Sequence, residues 1–321
     1  MLAGYATAID PEDPLAGFEV GELEPPAPPE DWVTVEVRAA ALNHHDVWAL
    51  KGFGFGAEQL PMVLGCDAAG VDPDGNEVVV HALVGDPAWP GEETDDPRRS
   101  ILSERHPGTL AETVSVPRRN LIAKPASLTF PEAACLPTAY LTAFRMLFTR
   151  ARLVPGETVL VQGAGGGVAT AAIILAAAAG IRVWATSRSE QKRELAKTLG
   201  ADAAFETGER LPGRVDAVIE TVGEATWPHS LRSVRNGGRI VVAGATSGPN
   251  PSADLPHLFF REVSVIGSTM GTRAELERLV AFLDTTGARP LIDRTLPLAD
   301  ARTGLEAMVA GELQGKVVLE P

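Results

Sequence analysis

Apolar and polar positions alternate in short runs over roughly the first 120 residues. The clearest is Trp32-Val33-Thr34-Val35-Glu36-Val37, in which side chains two apart share a face, so it reads as a half-buried strand. Glu77 to Leu83 is rich in valine and follows Asp72-Pro73-Asp74-Gly75, a turn sequence of the kind that joins strands. Residues 25 to 30, PPAPPE, form a stiff connector, and Gly85 to Pro107 is an acidic, proline-rich loop. This half predicts a mainly antiparallel β domain with little helix.

The rhythm changes after Pro131. Glu132 to Arg150 has helical spacing, and from Glu157 short apolar strands alternate with helices: Thr158 to Gln162, a helix over Gly167 to Ala179, Arg182 to Thr186, and a helix over Ser189 to Leu199. Further strands are expected at Ala217 to Glu220, Arg239 to Val242 and Val263 to Ile266. Strand–helix alternation predicts an α/β fold with a parallel, doubly wound Rossmann-type sheet, whose ligand lies at the carboxyl ends of the strands. A helix near Thr272 to Leu283 and a strand at Lys316 to Leu319 close the chain.

Composition narrows the function. A chain of 321 residues that is 45% hydrophobic suits two domains, each with its own core. With 42 acids against 28 bases the net charge is −14, and no basic face is evident, which argues against a nucleic-acid partner. The longest weakly polar run, Val168 to Ile181, is too short for a bilayer span, so no membrane segment is expected. Cys66 and Cys135 stand alone without any CxxC, which rules out a four-cysteine zinc module and fits a reducing compartment. The opening MLAGYATAIDPEDP has no basic n-region, so a cytoplasmic location is expected.

The strongest motif is Gly163-Ala164-Gly165-Gly166-Gly167-Val168-Ala169, directly after one strand and opening a helix. Glycines there permit a tight turn and close backbone approach to a pyrophosphate, while the helix N-terminus offers free N–H groups. A dinucleotide is the expected ligand, another nucleotide-like molecule the alternative. The next strand ends in Ser187-Arg188-Ser189, with Lys192 one turn later and no acid to bind a ribose 2′-hydroxyl. A hydroxyl and an arginine suit the 2′-phosphate of NADPH. The missing acid also counts against an S-adenosylmethionine methyltransferase; the plainer alternative leaves Arg188 and Lys192 as solvated helix-start residues.

Several ordered motifs make the chain resemble the medium-chain dehydrogenase/reductase superfamily, in its zinc-free quinone oxidoreductase branch, over nearly the whole length. They are Ala40-Ala41-Leu42-Asn43-His44-His45-Asp46, Leu64-Gly65-Cys66-Asp67-Ala68-Ala69-Gly70, Gly108-Thr109-Leu110-Ala111-Glu112, Pro137 to Ala143, the glycine loop, and Gly315-Lys316-Val317-Val318-Leu319. The resemblance implies a GroES-like catalytic domain, residues 1–123 and 268–321, around an NADP-binding domain, 124–267, with the active cleft between them. Zinc-dependent relatives place metal ligands where this chain has Asn43, Cys66 and Thr138, of which only cysteine is a usual zinc ligand, so no metal is expected. Their four-cysteine lobe would fall in the Gly85 to Pro107 loop, which has no cysteine.

The resemblance further places Asn43, His44 and Asp46 beside nicotinamide and substrate, Thr142 at the nicotinamide ribose or amide, and Lys316 at the phosphates. Thr221, Val222, Gly244, Ala245, Thr246, Ser268, Thr269 and Met270 follow strands whose ends face the cofactor. His44, His45 and Tyr140 are candidate proton donors, with water an equal alternative, and Asp46 an orienting acceptor. Trp48, Phe53, Phe55 and the stretch near His257 to Phe260 are candidate pocket walls. The expected activity is NADPH-dependent hydride transfer to a quinone or an α,β-unsaturated carbonyl. A homodimer is implied by analogy, with Arg239 to Val242 or Val263 to Ile266 at its interface. A zinc-type alcohol dehydrogenase with atypical ligands and a non-enzymatic NADPH sensor are the rivals.

Overall fold

The computed structural model describes the whole chain, Met1–Pro321, as two compact units. The first comprises Met1–Thr138, Gly271–Thr285 and Pro290–Pro321; the second comprises Ala139–Met270 with Thr286–Arg289. The first boundary therefore falls after Thr138 rather than at residue 123. The cause is the short helix Phe130–Ala134, which packs on the strands Trp32–Ala41 and Asp67–Val71 and stays with the first unit.

In the first unit a sheet runs in the order Leu121–Ala123, Glu77–Val80, Asp67–Val71, Trp32–Ala41, Lys316–Glu320, Ile292–Pro297, with Thr113–Pro117 paired to the outer half of Trp32–Ala41. Every pair is antiparallel except the last, Ile292–Pro297 with Lys316–Glu320. Along Trp32–Ala41 the alternating half is part-exposed, whereas Ala39, Ala40 and Ala41 are buried on both faces, so small side chains are what fit there. The register Val318 opposite Ala41 brings Lys316 beside the end of that strand.

In the second unit six strands run parallel in the order Ala203–Phe205, Arg182–Thr186, Thr158–Gln162, Val215–Glu220, Val234–Val242, Ser264–Gly267. This is the doubly wound sheet the strand–helix rhythm predicts. Its central strand, Thr158–Gln162, is buried throughout, which explains its unbroken apolar run. The helix Gly167–Ala178 is buried from Ala169 to Ala176, and its alanines let it lie close to neighbouring elements. Leu160, Val218, Trp227, Leu231 and Ile240 form a core on the sheet. Two expectations are corrected. Glu132 to Arg150 is not one helix: α-helical Leu141–Phe144 lies between wide π turns at Leu136–Tyr140 and Arg145–Arg150. The strand holding Arg239 to Val242 begins at Val234 and is paired on both sides, so of the two expected interface strands it is Ser264–Gly267 that lies at a sheet edge. No helix is long and apolar enough to cross a membrane.

Candidate active site

The first unit gathers its polar chemistry at the N-terminus of the helix His44–Leu50. Asn43 precedes it in extended backbone, and Asp46 reaches back so that its Oδ2 accepts the Asn43 N–H at 2.8 Å, half of a capping box. The other oxygen, Oδ1, accepts Gly65 N–H at 3.1 Å. Gly65 sits at φ +97°, and a Cβ there would lie 2.6 Å from Thr109 Oγ1 and 2.9 Å from the Leu110 nitrogen, so only glycine lets the two segments meet. Asp46, fully buried, is thus an orienting acceptor that fixes the turn carrying Cys66 and Asp67.

Lys316 reaches the same place from the last strand. Its Nζ donates to Leu42 O at 2.7 Å, Asn43 Oδ1 at 2.6 Å and Asp67 Oδ2 at 2.9 Å. Three protons meet three internal acceptors on a residue 2% exposed, so the phosphate role expected of Lys316 is corrected: its charge serves Asp67. Asn43 is equally committed, since Nδ2 donates to Asp67 Oδ2 at 2.9 Å and Ala41 O at 3.3 Å while Oδ1 accepts Lys316. It frames the site rather than reaching for a substrate. Tyr140 is fully buried, its ring part of the core rather than a solvent-facing proton donor.

The two adjacent histidines part company. His44 faces solvent, edge-on to Trp48 at 6.4 Å, yet is crowded by protein in the wider shell around its ring; that desolvation and the Lys316 charge hold it below the ordinary histidine range. His45 lies in a chain of three side chains. Its Nδ1 is 3.4 Å from Cys66 Sγ and its Nε2 is 3.3 Å from Glu104 Oε1. Burial pulls His45 down, but Cys66, Glu104 and Asp46 outweigh it and set His45 well above the usual value. Burial pushes the Cys66 thiol up and Asp46 to about 6. Cys66 Sγ lies 3.4 Å from His45 Nδ1 and 3.5 Å from Leu102 O, to which its S–H can donate. Burial also pushes Glu104 up, but hydrogen bonds from His45, Ile101 N–H and Ser100 hold its carboxyl below the ordinary range. Glu104 escapes sequence reasoning, being one acid among many in the Gly85 to Pro107 loop, 59 residues from His45.

The second unit builds its site at the carboxyl ends of its strands. Gly163, at φ +78°, begins the turn after the central strand, and the Gly163 and Ala164 N–H groups donate to Thr186 O at 3.1 and 2.9 Å. The helix starting at Gly167 has no side-chain cap on its N-terminal N–H groups, and a Cβ on Gly166 would meet no protein atom within 4 Å. An open glycine before an uncapped helix end is what a pyrophosphate requires. Lys192 lies across Gly165, whose Cβ would stand 2.5 Å from Lys192 Cδ. Ser187 is buried and Arg188 exposed, with no internal hydrogen bond or ion pair on its guanidinium. Thr221 and Val222 are tied to the Gly244-Ala245-Thr246 turn, with Thr246 N–H on Thr221 O at 3.4 Å and Ser247 N–H on Val222 O at 2.7 Å. Ser268, Thr269 and Met270 follow the edge strand, and Ser268 Oγ is buried without a partner. Thr142 is buried in Leu141–Phe144. These residues fit a dinucleotide.

A buried set that the sequence does not announce steadies these strand ends. Gln162 Nε2 lies 3.0 Å from both His229 Nδ1 and Ser230 Oγ, and its Oε1 accepts Thr186 Oγ1–H at 2.5 Å. Glu220 accepts Val222 N–H, Gly223 N–H, Thr226 and Ser230. Three neighbouring strands are locked together beneath the glycine turn.

A catalytic zinc does not fit the first unit. Of the three positions at issue, the Asn43 oxygen is taken by Lys316, Cys66 is closed over by His45 and Leu102, and Thr138 carries only a buried hydroxyl. His45, Asp46 and Cys66 bring ligand atoms within 4.8 Å of one another. Both Asp46 oxygens already hold backbone N–H groups, and Asp46 and Cys66 are fully buried, so this set leaves no open position for substrate.

Comparison with known proteins agrees with this architecture. Residues 29–126 match the alcohol dehydrogenase GroES-like domain, and residues 167–285 the zinc-binding dehydrogenase domain. An acryloyl-coenzyme A reductase of Metallosphaera sedula is 31% identical over 94% of this chain and 96% of its own. A 2-methylene-furan-3-one reductase of Solanum lycopersicum is 33% identical over 91% of this chain and 72% of its own. The crystal structure of an NAD-dependent alcohol dehydrogenase superposes with a TM-score of 0.91 at 36% identity, covering all of both chains.

Proposed function

The chain belongs to the medium-chain dehydrogenase/reductase superfamily and is a nicotinamide-dependent oxidoreductase of that type, and we propose that it is a metal-independent, NADPH-linked reductase of α,β-unsaturated carbonyl compounds. The observation that carries this is the Lys316 ammonium held by Asn43, Leu42 and Asp67, which commits the first ligand position to an internal cation. Without a Lewis acid on the carbonyl, the favoured substrates are those whose incoming negative charge spreads along a conjugated system to an oxygen that hydrogen bonds can stabilise. The names of two relatives, reductases of an acryloyl thioester and of a methylene furanone, describe that electronic class. Quinones share it and belong in the same test.

The bound nicotinamide would supply hydride. The backbone from Gly163 to Val168 would hold its pyrophosphate, and Ser187, Arg188 and Lys192 its adenosine phosphate. The exposed, unpartnered Arg188 at a strand end that lacks an acid supports NADPH over NADH. Arg188→Ala is expected to weaken NADPH at least tenfold, about 1.4 kcal/mol, and NADH hardly at all, by fluorescence titration. Equal weakening of both refutes the 2′-phosphate assignment.

The activity is tested by following NADPH absorbance with 2-cyclohexenone, an acryloyl thioester and benzoquinone, with and without a chelator. Turnover of the enones, indifferent to chelation, is expected. One zinc per chain, lost together with activity, would sink the proposal, and no turnover on any substrate would favour the sensor alternative. A homodimer is also proposed, through the open strand Ser264–Gly267. Val265 on it and Leu255, Phe259 and Phe260 just before it are large exposed apolar side chains, the kind of surface another chain covers. A single-chain mass in light scattering would overturn it.

A further inference from the structure

We infer that Glu220 is a positioning residue for the nicotinamide cofactor. Its buried carboxylate holds the turn Thr221 to Gly223, and through it the turn Gly244 to Gly248, in the receiving shape before the dinucleotide arrives. The inference rests on the cofactor site at the strand ends and deepens it. Glu220 is the last residue of the strand Val215–Glu220 and is fully buried. A carboxylate taken out of water is costly unless donors surround it. Here Oε1 accepts Val222 N–H at 2.8 Å and Gly223 N–H at 3.1 Å, Oε2 accepts Ser230 Oγ–H at 2.6 Å, and Thr226 Oγ1 lies 2.9 Å from both oxygens. Two consecutive backbone N–H groups turned back onto the preceding side chain fix the direction in which the chain leaves the strand.

That direction matters because other turns depend on it. Val222 packs on the glycine turn, since a Cβ on Gly163 would stand 2.9 Å from Val222 Cγ2. A Cβ on Gly223 would stand 2.4 Å from Gly248 O, so it is glycine that lets the next turn touch this one. The second turn hangs on the first. Val222 O accepts both the N–H and the Oγ–H of Ser247 at 2.7 Å, Ser247 Oγ accepts Ala225 N–H at 3.0 Å, and Gly248 O accepts Glu224 N–H at 3.2 Å. On the other side Ser230 Oγ accepts Gln162 Nε2–H at 3.0 Å, Gln162 Oε1 accepts Thr186 Oγ1–H, and Thr186 O accepts the Gly163 and Ala164 N–H groups. Glu220 thus joins the Thr221 to Gly223 turn to the turn expected at the pyrophosphate. A loop already in its bound shape spares the ordering cost that binding otherwise carries, and the saving appears as affinity.

Two experiments on the full-length protein test this, and neither needs turnover. The first is a fluorescence titration with NADPH. Glu220→Leu removes every acceptor and should weaken binding by about tenfold or more, whereas Glu220→Gln, whose amide oxygen still accepts the Val222 and Gly223 N–H groups, should stay within about threefold. Val218→Ala is the control for stability alone: it opens a cavity in the core on the same strand, lowers the urea midpoint, and should bind NADPH as the unsubstituted protein does. The second is hydrogen exchange over residues 221–226, read by mass spectrometry. In the cofactor-free protein these amides should exchange about 100-fold or more slowly than an unstructured chain. If Glu220→Leu does not fold, the exchange measurement decides. Unchanged NADPH affinity in a folded Glu220→Leu protein, equal weakening in Val218→Ala, or free exchange of this turn until NADPH is added overturns the inference. Failure of the unsubstituted protein to bind either NADPH or NADH overturns the cofactor site itself and the inference with it, which separates that failure from the other three.

Discussion

Lys316→Met is expected to destabilise the first unit by about 3–5 kcal/mol, because it leaves the fully buried Asp67 carboxylate without its counter-charge. The size follows from what remains. Asp67 Oδ2 keeps one hydrogen bond, from Asn43 Nδ2, and Oδ1 has none. Asn43 Oδ1 and Leu42 O lose their donor together, so the helix His44–Leu50 loses the anchors of its N-terminal approach. Against a total stability of about 5–15 kcal/mol such a loss is severe. Urea unfolding followed by tryptophan fluorescence measures it. The decisive comparison is the double variant Lys316→Met with Asp67→Asn, which removes both charges and should recover more than half of the loss. A double variant no more stable than Lys316→Met alone would mean that Lys316 acts through packing, and the electrostatic account would fail.

The same residues show what a sequence discloses and what it hides. The Asn43 to Asp46 segment is local, so its motif announces the helix start and the orienting carboxylate together. Lys316 and Asn43 stand 273 positions apart, and only the register of the last strand against Ala40 and Ala41 brings them together. Sequence therefore offers Lys316 as a cation without a partner and assigns it, by resemblance, to phosphates that it does not face. Strands buried on both faces, such as Thr158–Gln162, stand out as apolar runs; Ile292–Pro297, half-exposed and polar, and the three-residue Ala203–Phe205 carry no comparable pattern. The π turns around Leu136–Tyr140 keep helical composition while changing the pitch, so spacing reads them as one helix. The boundary at Thr138 is hidden for another reason: a five-residue helix belongs to whichever unit its apolar face meets, and that is decided by tertiary packing on Trp32–Ala41 and Asp67–Val71.

Gly166→Val is expected to abolish cofactor binding while leaving the fold intact, and the contrast with its neighbours is what makes it informative. Gly163 is glycine for the protein's own sake: its φ is +78°, and a Cβ would stand 2.9 Å from Val222. Gly165 is crowded by Lys192. Gly166 answers to neither constraint. Its backbone is extended, at φ −79° and ψ 162°, where a β-branched residue is at ease, and nothing in the protein lies within 4 Å of where a Cβ would be. A glycine that the fold does not require, at the uncapped start of a buried helix, marks space reserved for something else. Valine would fill that space with two methyl groups at the point where a pyrophosphate must approach the backbone N–H groups. The expected loss is at least 100-fold in NADPH affinity, about 2.7 kcal/mol, against a stability loss of only about 1 kcal/mol from valine in place of glycine at the helix N-cap, read from the urea midpoint. Retained affinity in a folded Gly166→Val protein would move the pyrophosphate away from this helix, and the assignment of Arg188 to the 2′-phosphate would go with it.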